Sequence, residues 1–375
     1  MKLTNFQSIE ERRNFLEKKL GIDLKNIGQV LEKEDEEKIH CENRIGDARL
    51  PLGVAGPLEI KNLKFKIKNY YIPLATTEGA LVASVNRGCK AISLCGGVTT
   101  LAEDIGATRG PVFQTAGINE SLKFKKWLND NFILLAKEAK KTSSYLRLKK
   151  LSIRMVGDNV FVRFYFNTID AMGMNMATTA TASIIRIIEK KTKVKCLSIT
   201  GNFCIDKKPA WLNFISGRGK QIWAEVILTK KVLKDFLKTT GEKIFNVWLA
   251  KCMVGSAMSG SLGFNAHFAN VVAAFFAASG QDLAHVVEGS MGVTTTKILA
   301  DGNLYFSIYM PAVMLATVGG GTKLKTQQEA LSIIGVKKSI ELAEILAGAV
   351  LAGEVSLLAS LAEGTLVKAH ERLGR

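Results

Sequence analysis

Long apolar runs are scarce in this chain of 375 residues. The longest clean one, Val271 to Ala278, falls far short of the ~20 residues that a membrane-spanning helix needs. The apolar C-terminal stretch is interrupted by Glu344, Glu354 and Glu363. The opening residues, MKLTNFQSIEERRNF, hold no signal-peptide apolar segment. These absences predict a soluble, cytoplasmic protein with no membrane contact. Cysteine and histidine are also few, six and four. With no C-x-x-C and no H-E-x-x-H, they argue against a disulfide scaffold and against a metal site of the common zinc kind. No G-x-G-x-x-G follows a strand, so the Rossmann fingerprint is missing. There is no internal repeat and no low-complexity tract.

What is present is an ordinary globular composition, 47% hydrophobic and 23% charged, long enough for a large core and more than one domain. The formal charge is +17. It fits either a polyanion-binding protein or a lysine-rich solvated surface. The lysines are dispersed and no basic–aromatic motif accompanies them, which favours the second reading and predicts no nucleic-acid partner. Small anionic substrates suit the same field.

In chain order, residues 1–40 read as an amphipathic helical arm. CENRIGDARLPLGVAGPLEI has too many turn formers for a helix. KNYYIPLATTEGALVASVNRGCKAI enters as a strand and turns helical from the Thr76-Thr77 pair, ending at Gly96-Gly97, with a loop running on to TRGP. Residues 111–198 form a unit of their own: VFQTA as a strand, Glu120 to Lys141 as a helix, two alternating strands across Gly157-Asp158, a helix from Ala171 to Lys191, and VKCLSIT as a strand. That β-α-β-β-α-β order is the signature of a ferredoxin-like domain inserted in a larger one. A loop and helical segment follow through GNFCIDKKPAWLNFISGRGKQIWAEVIL. From Asn265 to Glu288 the chain reads as one helix, apolar nearly all round and so buried. On it His267, Asn270, Gln281, Asp282 and His285 share one arc. LYFSIYMPAVMLATVGGGTKL reads as strands ending in a glycine turn, and Leu342 to His370 as closing helices. The fold class is α+β: a large domain (41–110 and 199–375) around a long central buried helix, the inserted small domain, and the arm.

Several residues invite chemistry, and each has a plain alternative. Asp282 is a carboxylate on an apolar helix; it is equally an N-cap or half of a satisfied ion pair. DAMGMNMA opens a helix whose free N–H groups suit a pyrophosphate; by itself it is a helix start. Asp206, Lys207 and Lys208 put two ammoniums and a carboxylate on a loop, where a lysine can stabilise a developing oxyanion or lie solvated. Glu78 is a proton donor or a capping carboxylate. His370 is an acid or a charge closing the last helix. Gly319, Gly320 and Gly321 admit a cofactor or make a tight turn.

The strings ENRIG, PLGVAGPL, PLATTEGALVASVNRGCKAI, TRGP, DAMGMNMA, GNFCIDKKPA, GRGK, VGSAMSGS, FNAH, GQD, TVGGGT, AGEVSLLASLAEG and LVKAH decide between these readings. From about Glu42 to His370 the chain resembles the catalytic portion of the 3-hydroxy-3-methylglutaryl-CoA (HMG-CoA) reductases, in the class shared by eukaryotes and archaea. The resemblance implies a four-electron reduction of HMG-CoA to mevalonate, with NADPH delivering hydride twice. It implies Glu78 as proton donor and Lys207 as oxyanion stabiliser. It makes Asp282 the group that tunes both, its closeness to Glu78 raising a carboxyl pKa, and His370 the donor to the departing CoA thiolate. Arg109, Asp206, Lys208, Lys251 and Asn270 match residues around the HMG group, and Ser84, Asn86, Arg87 and Lys90 match the CoA site. Asp170, Met172, Gly173, Met174 and Asn175 match the cofactor motif, with Gly319, Gly320 and Gly321 beside it. The family pairs subunits through ENRIG into dimers, and tetramers are usual.

The chain also departs from the family pattern. Ser143-Ser144 stands where eukaryotic members carry Ser-Arg near the 2′-phosphate, with Arg147, Lys149 and Lys150 nearby, so NADH is the alternative cofactor. DIGATRGP replaces DGMTRGP, the glycine before FNAH is single (Gly263), and Thr200 replaces a common serine.

Overall fold

Strand β3 (Val98–Arg109) is the joint of the molecule. Its first part pairs with β8 (Arg218–Leu228) as far as Gly106; its end, Ala107–Arg109, pairs with β6 (Asn159–Asn167). Gly106 sits between them at φ 105°, where a Cβ would stand 2.7 Å from the Phe166 carbonyl oxygen. A glycine is what lets one strand serve two partners here. The computed structural model describes residues 8–20, 23, 41–61 and 67–365. His370 and most of the expected arm lie outside these; α1 (Ile9–Leu20) is the part of the arm that is described.

Further strands are β1 (Leu52–Lys61), β2 (Ile67–Ala75), β4 (Val112–Gln114), β5 (Arg147–Val156), β7 (Lys195–Ser198), β9 (Gly263–Phe264), β10 (Gly292–Ile298) and β11 (Leu304–Val313). They form a sheet in the order β7-β4-β6-β3-β8-β11-β10-β9, with the β1–β2 hairpin joined at β3 and β5 joined at β6. Among the described residues the α-helices of six residues or more after α1 are α2 (Leu81–Leu94), α3 (Ile118–Asp130), α4 (Phe132–Thr142), α5 (Met174–Thr192), α6 (Trp211–Ser216), α7 (Gly241–Trp248), α8 (Phe268–Ser279), α9 (Lys325–Ile334) and α10 (Ser339–Glu363). This is a mixed α+β fold with a large sheet.

Two apolar cores result. One joins α2, α8 and α10 to the inner faces of β1, β2, β8 and β11. The other holds Phe113, Phe124, Leu135, Phe164 and Ile184 between α3, α4, α5 and their strands. The long central buried helix is α10, not the segment expected from Asn265 to Glu288. It is long and apolar enough to cross a membrane, yet 78% of that window is buried inside the protein. Its small residues admit neighbours: a Cβ on Gly348 would meet Leu58 at 2.7 Å and one on Gly353 would meet Val271 at 2.8 Å.

Several expectations need correction. The Asn265–Glu288 helix stops at Ser279, because Gly280 is left-handed (φ 72°) and Asp282 starts a new turn. The helix expected from Thr76 begins at Leu81, after Ala80 in a left-handed conformation. The loop before TRGP is β3, and QIWAEVIL is strand β8 rather than helix; both are paired on two sides, which overrides their mixed patterning. One helix from Glu120 to Lys141 is two, separated at Asn131. The helix expected from Ala171 begins at Met174.

Two outcomes are expected from this packing. A Cβ on Gly88 of α2 would overlap the Ala352 carbonyl of α10. Gly88→Ala should therefore cost about 1–3 kcal/mol, read as a lower Tm. Burial and the Glu341 charge, opposed by the Ala102 backbone N–H, raise Glu344 to about 7. A carboxyl raised on folding destabilises as it ionises, so Glu344→Gln should raise Tm at about pH 8 and little at about pH 5. Equal gains at both would contradict the assignment.

Candidate active site

Lys207 Nζ lies 2.7 Å from Asp282 Oδ2, with the two side chains 40% and 41% exposed. The pair is thus within reach of a substrate. Asp282 arrives there because α8 has ended: Gly280 turns the chain against the Gly321 carbonyl, where no Cβ fits. Asp282 then caps the turn Leu283–His285 by accepting from Ala284 N at 3.1 Å. Both plain readings of Asp282, cap and ion pair, are realised at once. Partial burial works to raise its carboxyl. The Lys207 ammonium, the Ala284 N–H and the His285 ring outweigh that and hold it below the usual carboxylate range.

Glu78 accepts from Asn270 Nδ2 at 2.9 Å, and its own backbone N–H donates to Thr76 Oγ1 at 3.0 Å. Asn270 lies in the first turn of α8, whose start is held from below. The fully buried Glu354 of α10 accepts from Ala266 N and His267 N, both at 2.8 Å, and from the Thr294 hydroxyl. The joint network that the resemblance implies therefore stands here as two pairs, Lys207–Asp282 and Asn270–Glu78. Glu78 makes no hydrogen bond to Asp282, whose carboxyl pKa lies below the usual range rather than above it. The late helix start at Leu81 leaves Glu78 on the loop before it.

Beneath the DKK loop is a buried group that sequence reasoning missed. Arg218, fully buried, donates through Nη2 to Asp206 Oδ1 at 2.8 Å, through Nε to Thr108 Oγ1 at 3.0 Å, and through Nη1 to Glu288 Oε1. His285 Nδ1 lies 2.7 Å from the same Glu288 oxygen. Arg109 reaches Asp206 Oδ2 at 3.5 Å. Asp206, His285 and Glu288 could in principle ligate a metal, but the guanidinium bonded to both carboxylates already supplies the positive charge. The signal for Arg218 was its place between glycines in GRGK.

Two cavities are lined by the expected site residues. A cleft of about 730 Å³ is lined by Pro209, Lys251, His267 and Asn270 among others. A second cavity of about 360 Å³ brings together Met172, Gly173, Met174, Asn175, Gly319, Gly320 and Gly321, with Asp282 on its wall. Around it, α5 opens at Met174 with no side-chain cap, and a Cβ on Gly319 or Gly320 would project into open space. Free helix N–H groups and bare backbone suit the pyrophosphate of a dinucleotide. Ser143 Oγ touches Met176 Sδ at 3.6 Å and so adjoins this cavity; Ser144 and Arg147 are exposed.

Other expected residues have different occupations. Asp170 Oδ1 accepts from Ser339 N at 2.7 Å and caps α10. Ser84 bonds Ser356, and Asn86 accepts from Gly56 N. Arg87 donates to Ser360 Oγ and the Leu237 carbonyl. Lys90 and Lys208 are exposed. The four candidates for CoA thus lie on α2, three of them tied into the protein, and none of the four lines either of these two cavities.

A model of hydroxymethylglutaryl-coenzyme A reductase matches residues 8–375. The chain belongs to the HMG-CoA reductase family. It is 48% identical, over 98% of its length and 92% of the relative's, to the 3-hydroxy-3-methylglutaryl-coenzyme A reductase of Methanocaldococcus jannaschii. It is 42% identical to reductase 1 of Hevea brasiliensis, over 89% of this chain and 60% of that one. A class II reductase from Streptococcus pneumoniae, bound to NADPH in open conformations, shares the fold with a TM-score of 0.71. That likeness spans 96% of this chain and 98% of that one at 19% identity. Members of the family are oxidoreductases.

For the exposed Lys207–Asp282 pair the sign of the pH effect is set by the lowered carboxyl. Its contribution to stability is present above the ordinary carboxylate range and is lost as pH falls through the lower folded value. Asp282→Asn should therefore lower Tm slightly at about pH 7 and less at about pH 3. A larger loss at the acid end would contradict the pairing.

Proposed function

We infer that the chain reduces HMG-CoA to mevalonate and CoA, consuming two NADPH and two protons. The observation that carries this is the exposed Lys207–Asp282 pair, with Asp282 on the wall of a cavity suited to a dinucleotide, beside a cleft lined by Lys251 and by Asn270, which holds Glu78. The Gly173–Asn175 turn and the glycines from Gly319 would hold the dinucleotide, which when bound would supply the hydride for each reduction. Lys207 faces the carbonyl oxygen as it gains charge, and Asp282 keeps its ammonium in place. Glu78, held by Asn270, donates the proton that the oxyanion takes up. Arg109, Asp206, Lys208 and Lys251 orient the HMG carboxylate and hydroxyl. His370 protonates the departing thiolate, which stops its return to the aldehyde.

The identities of 42–48% to archaeal and plant relatives support the class shared by eukaryotes and archaea. The strand order β7-β4-β6-β5, antiparallel throughout, and its separate core support a ferredoxin-like inserted unit at 111–198. The remaining division, an arm at 1–40 and a large domain at 41–110 and 199–375, goes with it. A homodimer through ENRIG, assembling into a tetramer, completes the reading. NADH in place of NADPH is the alternative favoured by Ser144, because a serine offers the 2′-phosphate no charge.

Absorbance at the nicotinamide band, followed with HMG-CoA and either NADPH or NADH, tests this. Turnover faster with NADPH is expected; no turnover with either cofactor in folded protein would refute the reading. Lys207→Ala, Glu78→Gln and Asp282→Asn should each lose on the order of 10²-fold or more in kcat with the fold intact. His370→Gln should slow thioester reduction more than reduction of mevaldehyde.

A further inference from the structure

Arg218 sits where a cation is expensive. It is 0% exposed, and a second fully buried arginine, Arg163, lies close enough for the Arg218 charge to be felt there. Burial first, and that charge with it, push Arg163 down to about 10 despite the opposing pull of Tyr165 and Cys204. The local backbone is shaped to place Arg218 there. Gly217 and Gly219 flank it, both left-handed at φ 67° and 66°, and the register of β8 against β11 slips at this point. A Cβ on Gly219 would overlap the Val313 carbonyl. A bulge built from glycines re-aims the side chain between them. Buried ion pairs contribute little net stability against apolar replacements, so a role in geometry is the better account.

That geometry leads to Lys207. Glu288, itself 0% exposed, takes Arg218 Nη1 and His285 Nδ1 on Oε1, and the same oxygen accepts the Lys207 backbone N–H at 3.4 Å. Asp206, the residue before Lys207, is held by the other arm of the guanidinium at 2.8 Å. The loop needs such holding: Asn202, Ile205 and Lys207 are all left-handed, with φ 59°, 49° and 57°. Conformations of this kind cost on the order of 1–3 kcal/mol each and persist where the surroundings impose them.

We propose that Arg218 and Glu288 are positioning residues: a buried clamp that fixes the backbone of Lys207 so that its ammonium meets Asp282. The catalytic part rests on the reductase reading; the clamp itself does not. Two readouts separate them. The first is acetylation by acetic anhydride, followed by peptide mass spectrometry, with exposed Lys208 as internal standard. In the unaltered chain Lys207 should react roughly two- to fivefold more slowly than Lys208, because it must first leave its carboxylate. Glu288→Ala and Arg218→Lys should bring the two rates together. Glu288→Gln, which keeps the acceptor oxygen, should preserve the difference. The second readout is kcat per NADPH-binding site, which loss of folded protein does not change. It should fall roughly 100-fold in Glu288→Ala and Arg218→Lys, the scale of a ~1 Å misplacement, and be largely restored in Glu288→Gln. If Glu288→Ala fails to fold, Arg218→Lys against Glu288→Gln makes the same comparison. An acetylation ratio unchanged in Arg218→Lys, or Glu288→Gln as impaired as Arg218→Lys, overturns the clamp. Failure of the unaltered chain to turn over overturns the reductase reading and leaves the acetylation result to decide the clamp.

Discussion

Helices touch backbone to backbone only where side chains shrink to nothing, and α10 is built for such contact. Gly88 of α2 lies against its Ala352 carbonyl, and Gly353 lies against Val271 of α8. The helix is apolar nearly all round and mostly buried, with Glu341 and Glu344 partly exposed near its start. The rest of the molecule is hung from it. Asp170, between β6 and α5 of the inserted unit, caps its first turn; Glu354, at its middle, caps the start of α8; Arg87 of α2 reaches Ser360 near its end. An error in the α10 crossing would thus move three elements together.

The buried charges serve that precision more than stability. Glu354 spends its carboxylate on two backbone N–H groups and a hydroxyl, and so orients the turn that carries Asn270 and, through it, Glu78. Arg218 and Glu288 do the same for the loop that carries Lys207. Lys207 and Glu78 stay open to solvent while the buried charges beneath them are dry. A charge in a dry place is held to a narrow geometry, because losing a partner there costs far more than in water.

The cavity at the start of α5 is shaped by absence. Gly280 and Gly321 pack so closely that neither could carry a side chain, and this contact both ends α8 and delivers Asp282 to the cavity wall. Gly319 and Gly320 then leave bare backbone facing the space that the start of α5 also faces.

Local pattern was enough for the β5–β6 hairpin, the helical character (though not the break at Asn131) of the inserted unit's helices, and the apolar character of α8 and α10, since burial on one face or all faces writes itself into residue spacing. The motif strings were enough for the family; they also singled out Lys207, Asp282, Glu78 and Asn270, which the fold brings together as two pairs. Strands β3 and β8 were not legible, because pairing on both sides lets Glu103-Asp104 and Glu225 stand in a sheet where patterning suggests a loop or helix. Nor was the break at Gly280, which is needed only because Gly321 arrives from forty residues on. Which partner each charge takes was decided by the tertiary structure alone. Arg218 and Glu288, Glu354 and His267, Asp170 and Ser339 are distant in sequence, and a buried charge selects its partner by what the fold brings within hydrogen-bond reach.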